Sequence, residues 1–520
     1  MTLSLKLYLF LLLGLFTVAE PTAGVAQEAR VSKWPRGVTY EIFVQAFADS
    51  DNDGIGDIRG MTARLDYLKA LGVEGVWLMP INPSPSYHKY DVTNYYDIHP
   101  DYGTLDDFKT FIREAHKRNI KVVMDLVLNH SSSQHPWFLE AKAKKDSPYR
   151  NYFVWAHKDD PQVQTKGKII AGDSDNVNRW NKLDDSDYLY YSYFGGGMPD
   201  LNYDNPDLRE EVFKIGRFWM SEVGVDGFRL DAARHIFPDD RAKDNHRWWV
   251  YFRNEMQKVN KEVYLVGEVW APAEVVGPYM QGLPALFNFD MGGAIINAVN
   301  SARADSLVFK HRKIRSFYQS VNPAYVDATF LTNHDQNRIM SSVNNNIDKA
   351  KMAAALLLTL PGSPYLYYGE ELGMRGKKPD EYIREPFLWD VAMKDKVRSK
   401  WISPRYSTDS TVVPASRQMA DKSSLYNHYK ALIQLRNNSQ ALSYGEVEAL
   451  ETGYPEVCAF VRMTEQESVL VLHNLSSQEK TVQLPSTYSV YSKVEFKNKK
   501  ASVRNRLVQL PAYSSLVLSR

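Results

Sequence analysis

Apolar and polar residues alternate between two patterns over most of the chain. Short runs of mostly apolar residues, such as 73–79, 121–128 and 263–269, predict buried strands. Between such runs, apolar residues recur at helical spacing, as in residues 105–118, where Thr104 stands as the N-cap. Because apolar strands that alternate with helices form parallel sheets covered on both faces, we expect an α/β fold. About eight such units in roughly 350 residues predict a (β/α)8 TIM barrel.

Two stretches depart from this alternation. After the strand predicted at residues 121–128, the next clear helix begins near residue 207, and the polar, aromatic stretch between them is too long for a structureless loop. We therefore expect a small domain inserted after the third strand. From about residue 439 short alternating segments replace the helices, which predicts a C-terminal all-β sandwich. The predicted division is a signal peptide at 1–26, a first part of the barrel at 31–130, the inserted domain at 131–200, a second part of the barrel at 201–425 and the sandwich at 426–520.

The N-terminus has the pattern of an export signal. Lys6 precedes an apolar run at residues 7–16, and the small residues Gly24 and Ala26 follow at a plausible cleavage site. The run is too short to cross a bilayer, and no later segment is long and apolar enough to do so. We expect a protein without a membrane span, secreted or periplasmic after removal of the signal peptide.

Composition and charge narrow the possible partners. Lys and Arg number 63 and Asp and Glu number 62, so the net charge of +1 indicates no nucleic-acid partner. The single cysteine, Cys458, excludes an intramolecular disulfide and a cysteine-based zinc site. Aromatic residues make up 12% of the chain, a content that suits either a large core or a sugar-binding cleft.

Acidic residues and histidines stand where four of the predicted strands end. The segments are 125–130, 227–231, 267–270 and 333–335, and three of them contribute Asp231, Glu268 and Asp335. Because a barrel gathers the C-terminal ends of its strands around one cleft, these carboxylates should converge. Converging carboxylates either hold metal ions or cleave glycosidic bonds.

The flanking residues favour cleavage of glycosidic bonds. Arg229 lies two residues before Asp231 on the same face of a strand, where a guanidinium should keep Asp231 ionised as a nucleophile requires. Glu268 follows an apolar strand, so loss of solvent should raise its pKa, as a general acid requires.

The four strand-end motifs, in this order and spacing, resemble those of the α-amylase family of glycoside hydrolases over about residues 33–400. The resemblance implies that Asp231 is the nucleophile, Glu268 the general acid and base, and Asp335 a third carboxylate that steadies the transition state, with retention of the anomeric configuration. It also implies that the sugar is bound by Tyr90, His130, Arg229, Arg234, His235, His334 and Arg384.

A separate motif indicates metal binding. Between residues 49 and 57, oxygen donors alternate with other residues and glycines allow a tight turn, a pattern typical of Ca²⁺ loops, although Gly60 stands where an EF-hand has its last glutamate. The loop resembles the calcium loop of oligoglucosidase-like members of the family, which implies the ligands Asp49, Asp51, Asp53, the Ile55 carbonyl and Asp57. A solvated acidic turn remains the alternative.

Two further segments bear on the substrate. Residues 231–235 resemble the α-amylase version of their motif, and residues 198–202 resemble a group intermediate between oligo-1,6-glucosidases and neopullulanases. These resemblances imply a monomeric enzyme that hydrolyses α-1,4 bonds inside starch-like glucans and maltooligosaccharides. The alternatives are an exo-acting α-glucosidase and a transglycosylating or cyclodextrin-type member. A non-catalytic relative is disfavoured because Asp231, Glu268 and Asp335 are all present.

Overall fold

The computed structural model describes residues 34–164, 179–183, 186–304 and 306–520. The signal peptide predicted at residues 1–26 lies outside the described residues. Within these ranges, no helix combines the length and the apolar character that crossing a membrane requires.

The strands, numbered along the chain, are β1 Thr39–Ile42, β2 Gly75–Leu78, β3 Lys121–Leu126, β4 Trp155–His157, β5 Trp180–Lys182, β6 Tyr188–Tyr191, β7 Gly227–Leu230, β8 Tyr264–Gly267, β9 Ala285–Asn288, β10 Val326–Phe330, β11 Ser363–Tyr367, β12 Glu446–Ala449, β13 Val457–Met463, β14 Ser468–Asn474, β15 Lys480–Gln483, β16 Lys493–Lys497, β17 Ser502–Arg504, β18 Leu507–Leu510 and β19 Ser514–Ser519. Eight of them are parallel and close into a barrel in the order β1-β11-β10-β9-β8-β7-β3-β2, which confirms the predicted TIM barrel. Large side chains, among them Trp77, Tyr264, Phe287 and Tyr365, fill its interior, so a reaction site belongs at its end and not in its centre.

Helices surround the barrel. The cap predicted at Thr104 is confirmed: its hydroxyl accepts the Asp107 N–H, and the Asp107 carboxylate accepts the Thr104 N–H. The longer helices are Leu65–Leu71, Leu105–Lys117, Pro136–Ala143, Pro206–Phe218, Ala242–Val259, Phe289–Ser301, Leu307–Val321, Ile347–Thr359 and Leu425–Asn438. The shorter helical segments are Val44–Phe47, Ile58–Thr62, Pro100–Tyr102, Arg150–Tyr152, Pro161–Gln164, Trp219–Val223, Asp239–Arg241, Ala273–Val276, Gly277–Gln281, Ile339–Ser342, Glu370–Leu372, Asp380–Ile383, Ala415–Ala420, Gln440–Tyr444 and Ser486–Tyr488.

The segment between β3 and the helix Pro206–Phe218 carries its own small antiparallel sheet, in the order β4-β6-β5. Isolated bridges pair His130, shortly after β3, with Asp200 and pair Phe153 with Leu201, so they join the start of the segment to its end. The inserted segment thus lies against the residues that follow β3, next to the strand ends where the predicted site residues stand.

Two antiparallel sheets form the C-terminal part, β12-β13-β14-β19-β16 and β15-β18-β17. They share one apolar core, to which Leu470 and Leu516 contribute from the first sheet and Val482 and Val508 from the second, as in a β-sandwich. The first of these strands starts at Glu446, later than the division drawn at residue 426. The helix Leu425–Asn438 follows that division and packs on the barrel helices Leu65–Leu71 and Ile347–Thr359, because one of its faces is apolar.

Two buried arginines, one on the sandwich and one on the helix Leu425–Asn438, contact the end of a barrel helix. Arg462 on β13 donates to the Thr359 carbonyl at 2.6 Å, and Arg436 donates to the Leu358 and Leu360 carbonyls at 3.1 and 3.0 Å. These carbonyls end the helix Ile347–Thr359, where partial negative charge favours a cation. The two guanidinium groups therefore cap a barrel helix from the side of the C-terminal part.

Glu370 is a buried carboxylate that packs against the helix Leu425–Asn438. Its Oε1 accepts the Tyr429 hydroxyl at 2.8 Å, and its Oε2 has no partner among the described residues. Burial, together with the neighbouring Glu371, raises the pKa of Glu370 to about 8. A carboxylate with a raised pKa binds its proton more tightly in the folded than in the unfolded chain, so the free energy of unfolding falls as pH rises through this range.

We expect Glu370→Gln to remove the part of the fall in the free energy of unfolding with pH that Glu370 causes. The neutral amide keeps an oxygen for Tyr429 and carries no charge to bury, so the variant should gain about 1–3 kcal/mol over the native protein between about pH 5 and pH 8. Urea unfolding at the two pH values measures the difference. Parallel stability curves for the two proteins would show that Glu370 does not titrate in this range.

Candidate active site

Three carboxylates follow strands at the same end of the barrel, where the sequence led us to expect them to converge. Asp231 comes directly after β7, Glu268 directly after β8, and Asp335 in the loop after β10. Their side chains are 10%, 13% and 30% exposed, so each reaches the surface of a largely enclosed site. Substrate can therefore approach them from one side.

Arg229 connects two of these carboxylates. Its Nη1 donates to Asp231 Oδ1 at 2.5 Å, and its Nη2 donates to Glu268 Oε2 at 2.6 Å. The guanidinium is planar and its side chain is only 1% exposed, so it cannot rearrange without breaking both contacts. Asp231 and Glu268 are consequently held side by side, with the same cation between them.

Burial decides the pKa of both carboxylates. Loss of solvent raises the pKa of Asp231, and Arg229 opposes this effect without reversing it. The expectation that Arg229 would simply keep Asp231 ionised therefore omitted the larger effect of burial. Burial likewise raises the pKa of Glu268, as expected for a residue that has to deliver a proton, and the neighbouring Asp231 adds to the shift.

Asp335 has the opposite character. Burial works against its ionisation, but His334 and Arg384 together lower its pKa below the ordinary value. His334 Nε2 lies 3.1 Å from Asp335 Oδ2, and Arg384 Nη2 donates to Asp335 Oδ1 at 2.9 Å. The site thus combines a carboxylate held ionised with two whose pKa values are raised.

Tyr90 and His130 lie next to each other, because the His130 ring contacts the backbone of Tyr90. The Tyr90 ring stacks on His334, with centroids 5.6 Å apart, and its hydroxyl donates to Asp125 at 3.1 Å. His130 is 2% exposed and its Nε2 lies 3.2 Å from the Tyr90 carbonyl. Burial lowers the pKa of His130 to about 4, so at neutral pH its ring is uncharged.

Arg234 and His235 lie at the edge shared with the inserted segment. Arg234 forms a two-bond ion pair with Asp239, at 3.1 and 3.0 Å. The His235 ring stacks on Tyr193 with centroids 3.9 Å apart, and Phe194, which is 38% exposed, packs near it. Sequence reasoning did not single out Tyr193 and Phe194, since only the fold of the insertion brings them beside residues 231–235.

Two further residues belong to the site: Asp125, which the sequence analysis placed in a strand-end segment without giving it a role, and Glu41, which it missed. Asp125 is fully buried and touches Arg229 at 3.0 Å, and burial raises its pKa to about 7. Glu41, at the end of β1, contacts His334 at 2.5 Å. Both are acids within apolar strands, which is the same signal that identified Glu268, but no motif drew attention to Glu41.

Aromatic rings flank the carboxylates in two directions. Tyr87 stacks on Trp401 with centroids 5.2 Å apart, and its hydroxyl accepts from Arg384 at 3.3 Å. Two residues after Glu268, Trp270 is 48% exposed and stacks on Phe289 at 4.5 Å. Flat, exposed rings of this kind suit the apolar faces of sugar rings.

The predicted metal loop folds into a compact turn after β1. Carboxylate oxygens of Asp49, Asp51 and Asp57 lie within 4.8 Å of one another, while Asp53 is outside this group and accepts the Ile55 N–H at 2.7 Å. Three clustered carboxylates are the hard oxygen donors that Ca²⁺ prefers. The donor set therefore fits the predicted cation.

Asn129, which follows β3, contacts the segment that carries His235. Its Nδ2 donates to the His235 carbonyl at 2.6 Å, and its Oδ1 lies 3.0 Å from His130 Nδ1. In this arrangement the Asn129 amide joins the barrel to the segment that carries His235 through a direct hydrogen bond.

Comparisons with known proteins agree with this geometry. Residues 41–445 match the family model "Alpha amylase, catalytic domain", and residues 457–517 match the model of the SusG C-terminal domain. Alpha-amylase 3 of Dictyoglomus thermophilum is 42% identical over 93% of each chain, and 4-alpha-glucanotransferase of Thermotoga maritima is 34% identical over 85% of this chain and 96% of its own. The crystal structure of the alpha-amylase from H. orenii superposes with a TM-score of 0.85 at 41% identity, covering 93% of this chain and 99% of that one. The chain belongs to the α-amylase family of glycoside hydrolases.

Proposed function

We propose that this hydrolase cleaves α-1,4-glucosidic bonds inside starch-like glucans and maltooligosaccharides, with retention of the anomeric configuration. The observation that carries the proposal is the pairing of Asp231 and Glu268 on one guanidinium, that of Arg229. Retaining glycosidases need their two carboxylates about 5–5.5 Å apart, whereas inverting enzymes separate them to admit a water. Side-by-side carboxylates support the retaining course.

In the first step, Asp231 attacks the anomeric carbon while Glu268 gives its proton to the glycosidic oxygen. The carbon–oxygen bond to the leaving sugar breaks, a glycosyl ester forms on Asp231, and the shortened chain leaves as an alcohol. The raised pKa of Glu268 suits it to hold this proton near neutral pH. Asp335, kept ionised by His334 and Arg384, faces the positive charge that develops on the sugar.

In the second step, Glu268 is a carboxylate and takes a proton from water. The water oxygen attacks the same carbon, the ester bond to Asp231 breaks, and both residues return to their starting states. Two inversions at one carbon leave its configuration unchanged. Arg229 remains bonded to both carboxylates and compensates their charge in each state.

Internal cleavage is supported by aromatic rings near two of the carboxylates. Tyr87 contacts Arg384, the partner of Asp335, and stacks on Trp401, whereas Trp270 stands two residues after Glu268. A substrate several sugars long could contact both groups at once, whereas release of single glucose units needs a site closed at one end. Transfer to a second sugar is the alternative, favoured by the exposed Trp270, which could hold an acceptor in competition with water.

A time course of products from soluble starch and maltoheptaose tests the proposal. We expect an early spread of maltooligosaccharides with rapid loss of iodine colour, and NMR of the first products should show the α-anomer. Glucose alone with slow loss of colour would establish an exo-acting glucosidase. Products longer than the maltoheptaose supplied would establish transfer.

We also propose that Ca²⁺ binds the loop through Asp49, Asp51 and Asp57, where it would neutralise their clustered charge. The loop is fastened to the segment that leads to Trp401: the Lys400 N–H donates to the Gly54 carbonyl at 2.7 Å, and the Asp49 N–H donates to the Val397 carbonyl at 2.8 Å. An ordered loop would thereby hold the segment that leads to Trp401 in place.

We expect EDTA to lower the Tm of the native protein and added Ca²⁺ to restore it, because a ligand of the folded state stabilises it by mass action. Asp51→Asn should remove most of this response, because it takes the charge from one of the three clustered carboxylates. The change should not disturb the fold, since Asp51 is exposed and its side chain contacts the nearby Asp53 N–H. Asp66→Asn, a change at an exposed ion pair with Arg118, is the matched control and should respond to EDTA like the native protein. Equal responses from all three proteins would place the cation elsewhere.

A further inference from the structure

His334 faces a carboxylate with each of its ring nitrogens. Nδ1 lies 2.5 Å from Glu41 Oε1, and Nε2 lies 3.1 Å from Asp335 Oδ2. An ionised carboxylate can only accept hydrogen bonds, so both nitrogens have to carry a proton for both contacts to be favourable. The Glu41 and His334 side chains are 2% and 1% exposed, which leaves little room for water to substitute for either partner.

The Nε2 proton also orients Tyr90. The Tyr90 hydroxyl oxygen lies 2.7 Å from Nε2 and donates its own hydrogen to Asp125 Oδ2 at 3.1 Å. The His334 imidazolium therefore donates to the Tyr90 hydroxyl, and that hydroxyl donates in turn to Asp125. A neutral ring with its proton on Nδ1 would reverse the contact with Tyr90 and would set a lone pair against Asp335.

The charges around His334 favour its charged form. Carboxylates act on it from β1, from β3 and from the loops after β7, β8 and β10, namely Glu41, Asp125, Asp231, Glu268 and Asp335. Two guanidinium groups lie among them: Arg229 bonds three of these carboxylates, and Arg384 bonds Asp335 and the His334 carbonyl. Burial works against a charged ring, but Asp335 and Glu41 raise the pKa of His334 to about 10.

We propose that Glu41 is a positioning residue of the active site, whose carboxylate fixes His334 as a doubly protonated ring that in turn holds Asp335 ionised and orients Tyr90. The inference rests on the proposed function only for its kinetic consequence. The contact joins positions 293 residues apart along the chain, so it forms only when the barrel closes β1 beside β11.

The kinetic test is Glu41→Gln. Loss of the charge should lower the pKa of His334, so the alkaline limb of kcat should move to lower pH by about one unit or more, a loss of about tenfold on that limb. Glu371→Gln is the matched control: Glu371 is fully buried and accepts from Tyr40, the neighbour of Glu41 on the opposite face of β1, at 2.9 Å. The Glu371→Gln variant should keep the alkaline limb of kcat at the pH of the native protein. Coincident profiles for the two variants would overturn the proposal.

A second measurement needs no substrate, and its decisive part uses the native protein. In protein labelled with ¹⁵N-histidine, with the His334 signals assigned by comparison with His334→Gln, the native ring should stay doubly protonated to about pH 9, and in Glu41→Gln it should titrate nearer to its ordinary value of about 6.5. A native ring that titrates near its ordinary value would overturn the proposal even if Glu41→Gln fails to fold. Because this readout is independent of products, it also separates a failure of the inference from a failure of the proposed function.

Discussion

Asp231→Asn is expected to reduce turnover of maltoheptaose by at least about 10⁴-fold, the largest effect of any single change in this protein. An amide oxygen is too weak a nucleophile to form the glycosyl ester, and the other carboxylate that accepts from Arg229 Nη1, Asp125, is fully buried. Binding should survive, because the amide has nearly the shape of the carboxylate. Initial rates measure the first effect, and calorimetric titration with maltoheptaose measures the second.

Asp327→Asn serves as the control for changing a buried aspartate of the barrel. Asp327 is 2% exposed on β10 and accepts from Asn288 at 2.9 Å, a contact outside the carboxylate cluster. Its variant should leave turnover per folded molecule close to native. If Asp231→Asn kept activity within about a hundredfold of native, Asp231 could not be the nucleophile.

Glu268→Gln is expected to slow the cleavage of starch by about 10²–10⁴-fold, the usual contribution of general acid catalysis. The amide cannot deliver a proton to the leaving sugar, while the contact with Arg229 Nη2 can persist through its oxygen. An aryl maltoside with a strongly acidic phenol needs no such proton, so the first step on that substrate should stay close to native.

Glu274→Gln is the control for this second change, since Glu274 is an exposed residue of the short helix that follows the same strand. It should behave as the native protein on both substrates. An equal loss on starch and on the aryl maltoside in Glu268→Gln would mean that Glu268 binds the sugar and does not transfer the proton.

The predicted strands of the barrel are present with small shifts at their ends, because their signal is local. A buried strand in a parallel sheet must be apolar along its whole length, and Asp231 and Glu268 were visible as exceptions where such runs end. Fewer strands of the β-sandwich could be recognised in the sequence. No residue of its strands β16 and β17 is fully buried, so only their pairing with neighbours reveals them.

The sequence by itself determined the barrel and the residues at its strand ends, since hydrophobic period and spacing along the chain carry both. Tertiary structure alone decided which charges meet. It places Asp231 and Glu268 on one guanidinium, and it makes burial outweigh Arg229 in the pKa of Asp231. It also brings Glu41 to His334 across 293 residues. Such contacts depend on distance and solvent exclusion in three dimensions, to which the order of residues along a chain gives no direct access.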